Sequence, residues 1–513
     1  MGRACQAHAS LVVFQALEQD VLEIVGLVQS MKNSFTPIGK VPSDIFSLIP
    51  GYLEDRDMDK NLITMTHVCR SWRELLITRP SLWVRLDCEN ADKTQVYIER
   101  SELSPLKLSL RDHGGWAYLK EAFLLAVPHI SRLKSLTISG TADTLRNLAP
   151  HLSRPIPLLS ELAININSYP IPVLDTSLFN GNLSSLCSLA LCRVITHLPW
   201  KNLSKLTTFK FSCVRGETSI TQLLDFFEDA YHLRDIVLHY SIPPSSDAPP
   251  GRVVSLPHLN KLTIRDNLAH STLLNHLYIP AGASLTLNFD FIGDETPVSD
   301  FLPKTPENLG NIFPISSVNI SFDGVGKHVR LGGPNGGLYV LGHLIDWEEG
   351  AAFTLDRQIL RSLSRFDLSG TQRLAVAQYQ PPTVDTVDKS APYHILSRMK
   401  DLHTLTLTHC NNLSFILALN PDQNSLKYAP CPKLEELVLY VEGPESFNVE
   451  ELMSMAKERV SGGVKHSSIT FVGLGELLPG KEVFKLKKYI THVDYRVGDT
   501  PPRWDDVPGD EDD

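Results

Sequence analysis

The chain has 513 residues, 42% hydrophobic and 21% charged, ordinary usage for a folding protein that excludes a low-complexity or collagen-like chain. Its formal charge is −10, and six acidic residues in the last nine positions leave −4 for the rest, a balance that argues against binding a nucleic-acid phosphate backbone. The eight cysteines are dispersed through apolar segments without CxxC spacing, so they are expected as reduced thiols rather than zinc or disulfide ligands.

Residues 1–36 carry Phe14, Leu17, Val21, Ile24, Val28 and Met31 at alternating spacings of three and four, the stripe of an amphipathic helix. Fewer than three heptads long, it is expected to pack back on its own protein rather than stand as a coiled coil. Glu18, Asp20 and Glu23 interrupt the apolar run before it could act as a signal peptide, and no stretch reaches membrane-spanning length. The expected compartment is cytoplasm or nucleus, with no membrane partner.

Two further helical patterns follow in residues 37–88. The first opens at Pro42-Ser43-Asp44, where proline and short polar residues suit a helix start, and Ile45, Phe46, Leu48, Ile49 and Leu53 form its apolar face. Pro50-Gly51 should kink or end it, because proline lacks the N–H that the helix needs. The second runs from about Asn61 to Thr78, with Leu62, Met65, Val68, Cys69, Trp72, Leu75 and Leu76 at helical spacing, and Pro80 stops it.

From Leu103 the texture changes to short strands of the form Leu-x-x-Leu-x-Leu. Copies start at Leu133, Leu159, Leu186, Leu206, Leu233 and Leu259, separated by 26, 27, 20, 27 and 26 residues, within the roughly 20 to 29 of a leucine-rich repeat. Further copies start at Ile315, Leu363, Leu402 and Leu434. Segments rich in turn residues at Pro243–Pro257, Gly293–Pro314, Asp323–Gly350 and Thr371–Pro392 read as insertion loops, and 498–513 reads as a disordered acidic tail. The expected fold class is therefore α/β: a small N-terminal helical module, then an irregular leucine-rich-repeat solenoid of parallel strands over 89–497.

The segments VPSDIF at Val41–Phe46, VCRSWRELL at Val68–Leu76 and PSLW at Pro80–Trp83 together resemble an F-box, in particular that of a large fungal, basidiomycete-type family in which a helix precedes the box and a leucine-rich array follows it. The resemblance covers about fifty residues tightly and the repeats only by texture. It implies that Val41, Pro42, Ile45, Phe46, Ile49, Leu62, Val68, Cys69, Trp72, Pro80, Leu82 and Trp83 meet a Skp-type adaptor attached to a cullin scaffold. Several of these, Trp72 and Trp83 above all, have a competing reading as the core of a module too small to spare its apolar side chains.

No pattern points to catalysis, a cofactor or a metal. Gly332–Gly337 is glycine-rich but lacks the lysine and Ser/Thr of a phosphate loop, and no HExxH or GxSxG order occurs. The implied function is a non-catalytic specificity subunit of a ubiquitin ligase; the alternative is a repeat scaffold with no ligase role. Lys210, Lys261 and Arg265 fall between the ladder leucines and are candidates to receive an acidic or phosphorylated protein target. Asp235 nearby supports the plainer reading of a mixed solvated face.

Overall fold

The computed structural model describes residues 2–46, 48–52, 58–174, 179, 183–196, 202–214, 219–242, 247–266, 273–291, 306–322, 326–344, 363–378, 390–409, 412–420, 430–441, 449–464, 468–473 and 485–497. The acidic tail lies outside them. The chain divides into two units, residues 1–170 with 177–185, and residues 171–176 with 186–513.

The first unit opens with four helices: α1 (Gly2–Ser34), α2 (Ser43–Phe46), α3 (Met58–Thr66) and α4 (Arg70–Ile77). The expected packing of α1 onto the protein does not occur, since every side chain described between residues 12 and 34 is exposed. The first helical pattern yields one turn only, closed by the Phe46 N–H to Pro42 C=O bond, and the chain resumes as a 3-10 turn over Ile49–Tyr52 that Pro50 cannot extend into α-helix. The pattern from Asn61 to Thr78 forms two helices rather than one. Bonds from His67 N–H to Thr64 C=O and from Val68 N–H to Met65 C=O tighten the end of α3 into 3-10 geometry, and Cys69 is extended, with φ −158° and ψ 168°, before α4 begins.

Four parallel strands follow, β1 (Arg85–Leu86), β2 (Leu106–Arg111), β3 (Leu133–Gly140) and β4 (Glu161–Ile166), with helices α5 (Ala91–Ser101), α6 (Trp116–Ala126) and α7 (Ala142–Leu148) between them. Leu86, Leu108, Leu136 and Leu162 stand in register across all four, and all are buried. The Asn90 side chain accepts from the Lys93 N–H and the Thr141 hydroxyl from the Thr144 N–H, which starts α5 and α7 where the sequence leaves the strands.

The second unit repeats this logic over more strands. Strands β5 (Ser188–Cys192), β6 (Thr208–Ser212), β7 (Asp235–His239), β9 (Lys261–Arg265) and β11 (Ser284–Phe291) run parallel, as do β12 (Ser317–Phe322), β15 (Arg373–Gln378), β16 (Thr404–His409), β17 (Glu436–Val441), β18 (Ser468–Gly473) and β19 (His492–Val497). Between β11 and β12 lies a hairpin, β13 (Gly326–Gly332) and β14 (Gly337–Leu344); β14 joins β11 in parallel while β13 joins β12 antiparallel. A separate small pair holds β8 (Val254–Ser255) and β10 (Leu277–Tyr278). Helices α8 (Ile220–Asp229), α9 (Ser390–Leu396), α10 (Asn412–Ala418) and α11 (Val449–Ser461) lie between strands. A capping box at Ser219 and Gln222 starts α8, which buries Phe226 with its ring 4.7 Å from that of Phe209 on β6.

Three expectations fail in this unit, the first being that Pro243–Pro257 is loop throughout, since it supplies β8. Asp323–Gly350 is not simply a loop, because it supplies β13 and β14. The copy placed at Leu363 is not a strand: Leu363, Phe366 and Leu368 are buried in a turn whose Ser364 and Phe366 carbonyls accept from the Arg398 guanidinium, and the strand comes later, at 373–378, inside the segment read as a loop. Buried Thr371 occupies the place of the first leucine there and hides the repeat.

Leu136 on β3 and Leu262 on β9 are fully buried. Replacing either with aspartate should lower stability by about 3 kcal/mol or more, through lost packing and a buried, unpaired carboxylate. Half-buried Ser135, one position away and opposite Lys107, should accept the same charge with little change in melting temperature. Equal tolerance at the three positions would reject the register.

Candidate functional site

The structure divides the twelve residues expected to meet an adaptor. Phe46, Leu62, Leu82 and Trp83 are buried; Val41, Ile49, Cys69, Trp72 and Pro80 are half-buried; Pro42, Ile45 and Val68 are exposed. Phe46 meets Trp72 with ring centroids 4.5 Å apart, so the single turn of α2 is held on α4 by an aromatic pair rather than by its own backbone. What remains open to a partner is Ile45, 52% exposed, and Val68, 56% exposed, with Leu48 and Tyr52 beside them in sequence to α2 and also exposed. The last two were not among the twelve.

Trp83 belongs to the core. Its indole N–H donates to the Leu76 carbonyl at 2.9 Å, its ring meets Tyr97 edge-on at 5.0 Å, and the Arg100 guanidinium lies over it at 4.3 Å. Beside this stack the Lys93 ammonium bridges Asp59 of α3, at 2.8 Å, and Asp87. Burial by itself would lower the Lys93 pKa, but the hydrogen bonds and charges of Asp59 and Asp87 outweigh it and hold the ammonium above the usual lysine range. Burial, then the Asp59 charge, pushes the Tyr97 phenol up to about 12; burial, then Asp87, pushes the Cys88 thiol up to about 12. This junction locks α3 to α5 and β1. Nothing local in the sequence announced it, because Asp59 and Lys93 are 34 positions apart.

An F-box-like family model matches residues 38–89. No curated protein matches the chain. The matched segment takes in the module from the 3-10 turn at Ile38–Lys40 to β1, including exposed Ile45 and Val68 and buried Trp83, whereas Tyr97 and Arg100 of its stack lie beyond it. Among the described residues no helix is long and apolar enough to cross a membrane.

In the second unit, Lys210 on β6 and Lys261 and Arg265 on β9 share one face of the sheet, with β7 between them. Asp235 stands in register with Lys261, and the Arg265 Nε donates to the Tyr240 hydroxyl at 3.1 Å, so two of the three cations are already engaged. Lys210 alone is exposed, in register with Ala190 and Val237. A more open cationic site lies farther along the face. A cavity of about 750 Å³ is lined by Arg330, Arg373, Ser317, Asn319, Thr286 and Thr404 among others, and no carboxylate lines it. Arg330 is in register with Asn319, Arg373 with Ser317, so the guanidinium-bearing residues flank β12 on either side. Neither arginine has an ion-pair partner among the described residues.

The glycine-rich run forms the turn between β13 and β14 at the edge of this cavity, not a free loop. A Cβ on Gly333 would sit 2.4 Å from the Asn311 carbonyl oxygen, and one on Gly336 2.4 Å from that of Ala283. Close backbone packing, not flexibility, is the reason for glycine there. Sequence reasoning passed over Arg330 and Arg373 because both fall in segments read as loops.

Two outcomes test this arrangement. Trp83→Ala should cost about 3–5 kcal/mol of stability, since it empties a buried indole site, whereas Ile45→Asp should leave the melting curve unchanged. Lys93, Tyr97 and Cys88 all hold protons more tightly folded than unfolded, so their contribution is complete below about pH 9 and is lost as pH rises toward 12. The melting temperature should fall across that window, and Cys88→Ala, which removes the group with the lowest ordinary pKa, should delay the onset.

Proposed function

We propose that this protein is a specificity subunit of an SCF-type ubiquitin ligase. Its F-box-like module holds a Skp-type adaptor and, through it, a cullin scaffold, while the polar face of the second unit's sheet holds a protein target. The observation that carries the reading is the F-box-like match over residues 38–89 joined to what the module leaves uncovered: after Phe46, Leu62, Leu76 and Trp83 fill the interior, Ile45, Leu48, Tyr52 and Val68 remain exposed. So small a module gains nothing from exposing large apolar side chains such as these, and an apolar partner surface would cover them.

On this reading the protein contributes proximity, not chemistry. It raises the effective concentration of a target lysine near a ubiquitin-loaded enzyme supplied by other subunits. The parallel strands with in-register leucines support the repeat-array reading of the target-binding part, in which neighbouring repeats cover one another's apolar edges. Lys210 with the Arg330 and Arg373 cavity offers an acidic or phosphorylated segment charge-assisted hydrogen bonds without a competing carboxylate in the lining. The single turn of α2 favours the second reading, a binding scaffold with no ligase role, because it offers an adaptor only a short helical surface.

Ile45→Asp combined with Val68→Asp should abolish co-purification of the adaptor while the melting curve stays that of the parent. Adaptor retained by this variant would reject this surface as the docking site, and adaptor absent from the parent protein would decide for the scaffold. Arg330→Glu with Arg373→Glu should weaken capture of target at least tenfold, more at low salt than at high, and leave adaptor binding intact. An unchanged set of captured proteins would remove this cavity from target recognition.

A further inference from the structure

Helix α1 exposes Phe14, Leu17, Val21, Ile24, Val28 and Met31, and Phe35 just past its end is exposed too. An apolar surface of this extent is stable in water only when something covers it. Spacings of three and four put these residues at positions a and d of a seven-residue repeat: Phe14, Val21, Val28 and Phe35 at a, Leu17, Ile24 and Met31 at d. The flanking e positions are then Glu18, Val25 and Lys32, and the flanking g positions Val13, Asp20, Leu27 and Ser34.

We infer that α1 is a self-association element, and that two copies of the chain pair through it as an antiparallel coiled coil whose two-fold axis lies between Ile24 and Val28. The flanking positions choose this arrangement over the others. In a parallel, in-register pair each g residue meets the e residue five positions on in its partner, which sets Val13 against Glu18, Asp20 against Val25 and Leu27 against Lys32; every contact opposes an apolar side chain to a charge.

An antiparallel pair places e against e and g against g. With Ile24 opposite Val28 of the second copy, the core layers become Leu17 with Phe35, Val21 with Met31 and Ile24 with Val28, each occurring twice. Glu18 then meets Lys32, Val25 meets Val25, Leu27 meets Leu27 and Asp20 meets Ser34. On one flank acid faces base, on the other Asp20 faces a hydroxyl, and the apolar Val25 and Leu27 pairs widen the dry centre on both sides of the axis. Sliding the helices one heptad toward fuller overlap sets Glu18 against Val25 and Asp20 against Leu27. A second heptad brings Glu18 onto Glu18 and Asp20 onto Asp20. Length of overlap and charge therefore conflict, and the six-layer register is the one in which no charge is misplaced. A seam this short sustains a dimer in the micromolar range rather than an obligate one.

The test uses the full chain. Sedimentation at tens of micromolar should give twice the chain mass. Val21→Asp with Val28→Asp should give the monomer with an unaltered melting curve, because every described side chain of α1 from Val12 to Ser34 is exposed. Glu18→Lys should weaken the dimer about tenfold, and adding Lys32→Glu should restore it. Val25→Cys in a background lacking Cys5 should cross-link two chains on mild oxidation, since e meets e at the axis only in the antiparallel pair. A monomeric parent, or a dimer that survives the two aspartates, overturns the proposal; so does a dimer that cross-links through Ile24→Cys and not through Val25→Cys, which is the parallel outcome.

Discussion

The constraint on which the rest of the structure depends is that a parallel strand cannot be stable by itself. Its backbone groups need neighbours on both edges, and its apolar side chains need a cover on one face. In the second unit the solution is propagated from strand to strand: Leu189, Phe209, Ile236, Leu262 and Leu285 stand in register, each fully buried. The β13–β14 hairpin fits the same rule by a different route. It enters between β11 and β12 with one strand antiparallel, and Leu338 and Leu331 carry the buried row across to Val318. A segment with no leucine periodicity thus becomes part of the sheet because two open edges require it.

Burying one face of each strand leaves the other free for polar side chains, and that division is what provides a candidate target face. Charges there are held by their registers. Lys261 is set against Asp235 and Arg265 against Tyr240, whereas Arg330 and Arg373 look onto hydroxyl and amide neighbours. The cations differ not in kind but in what the neighbouring strand puts opposite them.

The helical module obeys a harsher version of the same economy. It has few apolar residues, and most are spent on itself: Trp83 fills the interior, donates to Leu76 and stacks on Tyr97, while Lys93 joins Asp59 to Asp87 around it. Outside that junction, the Phe46–Trp72 ring pair holds α2 on α4, since one turn is too short to hold a helix unaided. Ile45 can therefore be presented in a defined geometry although the element bearing it is one turn long.

How far this was legible follows from the range of each interaction. Periodicity in the sequence located α1, the two helical patterns of the module and the strands at Leu133, Leu159, Leu186, Leu206, Leu233, Leu259, Ile315, Leu402 and Leu434, because hydrophobic spacing is local and records which side of each element is covered. It misplaced the strand near residue 373, where Thr371 stands in for a leucine, and the break at Cys69, where a tightened last turn ends a helix that the apolar spacing would have continued. Only the tertiary structure decided that Trp83 is interior and Ile45 exposed, that Lys93 finds Asp59, that α1 is uncovered, and that Arg330 and Arg373 flank one strand. Those facts depend on register and on contacts between residues tens of positions apart, and a one-dimensional pattern carries no record of which distant side chain will stand opposite.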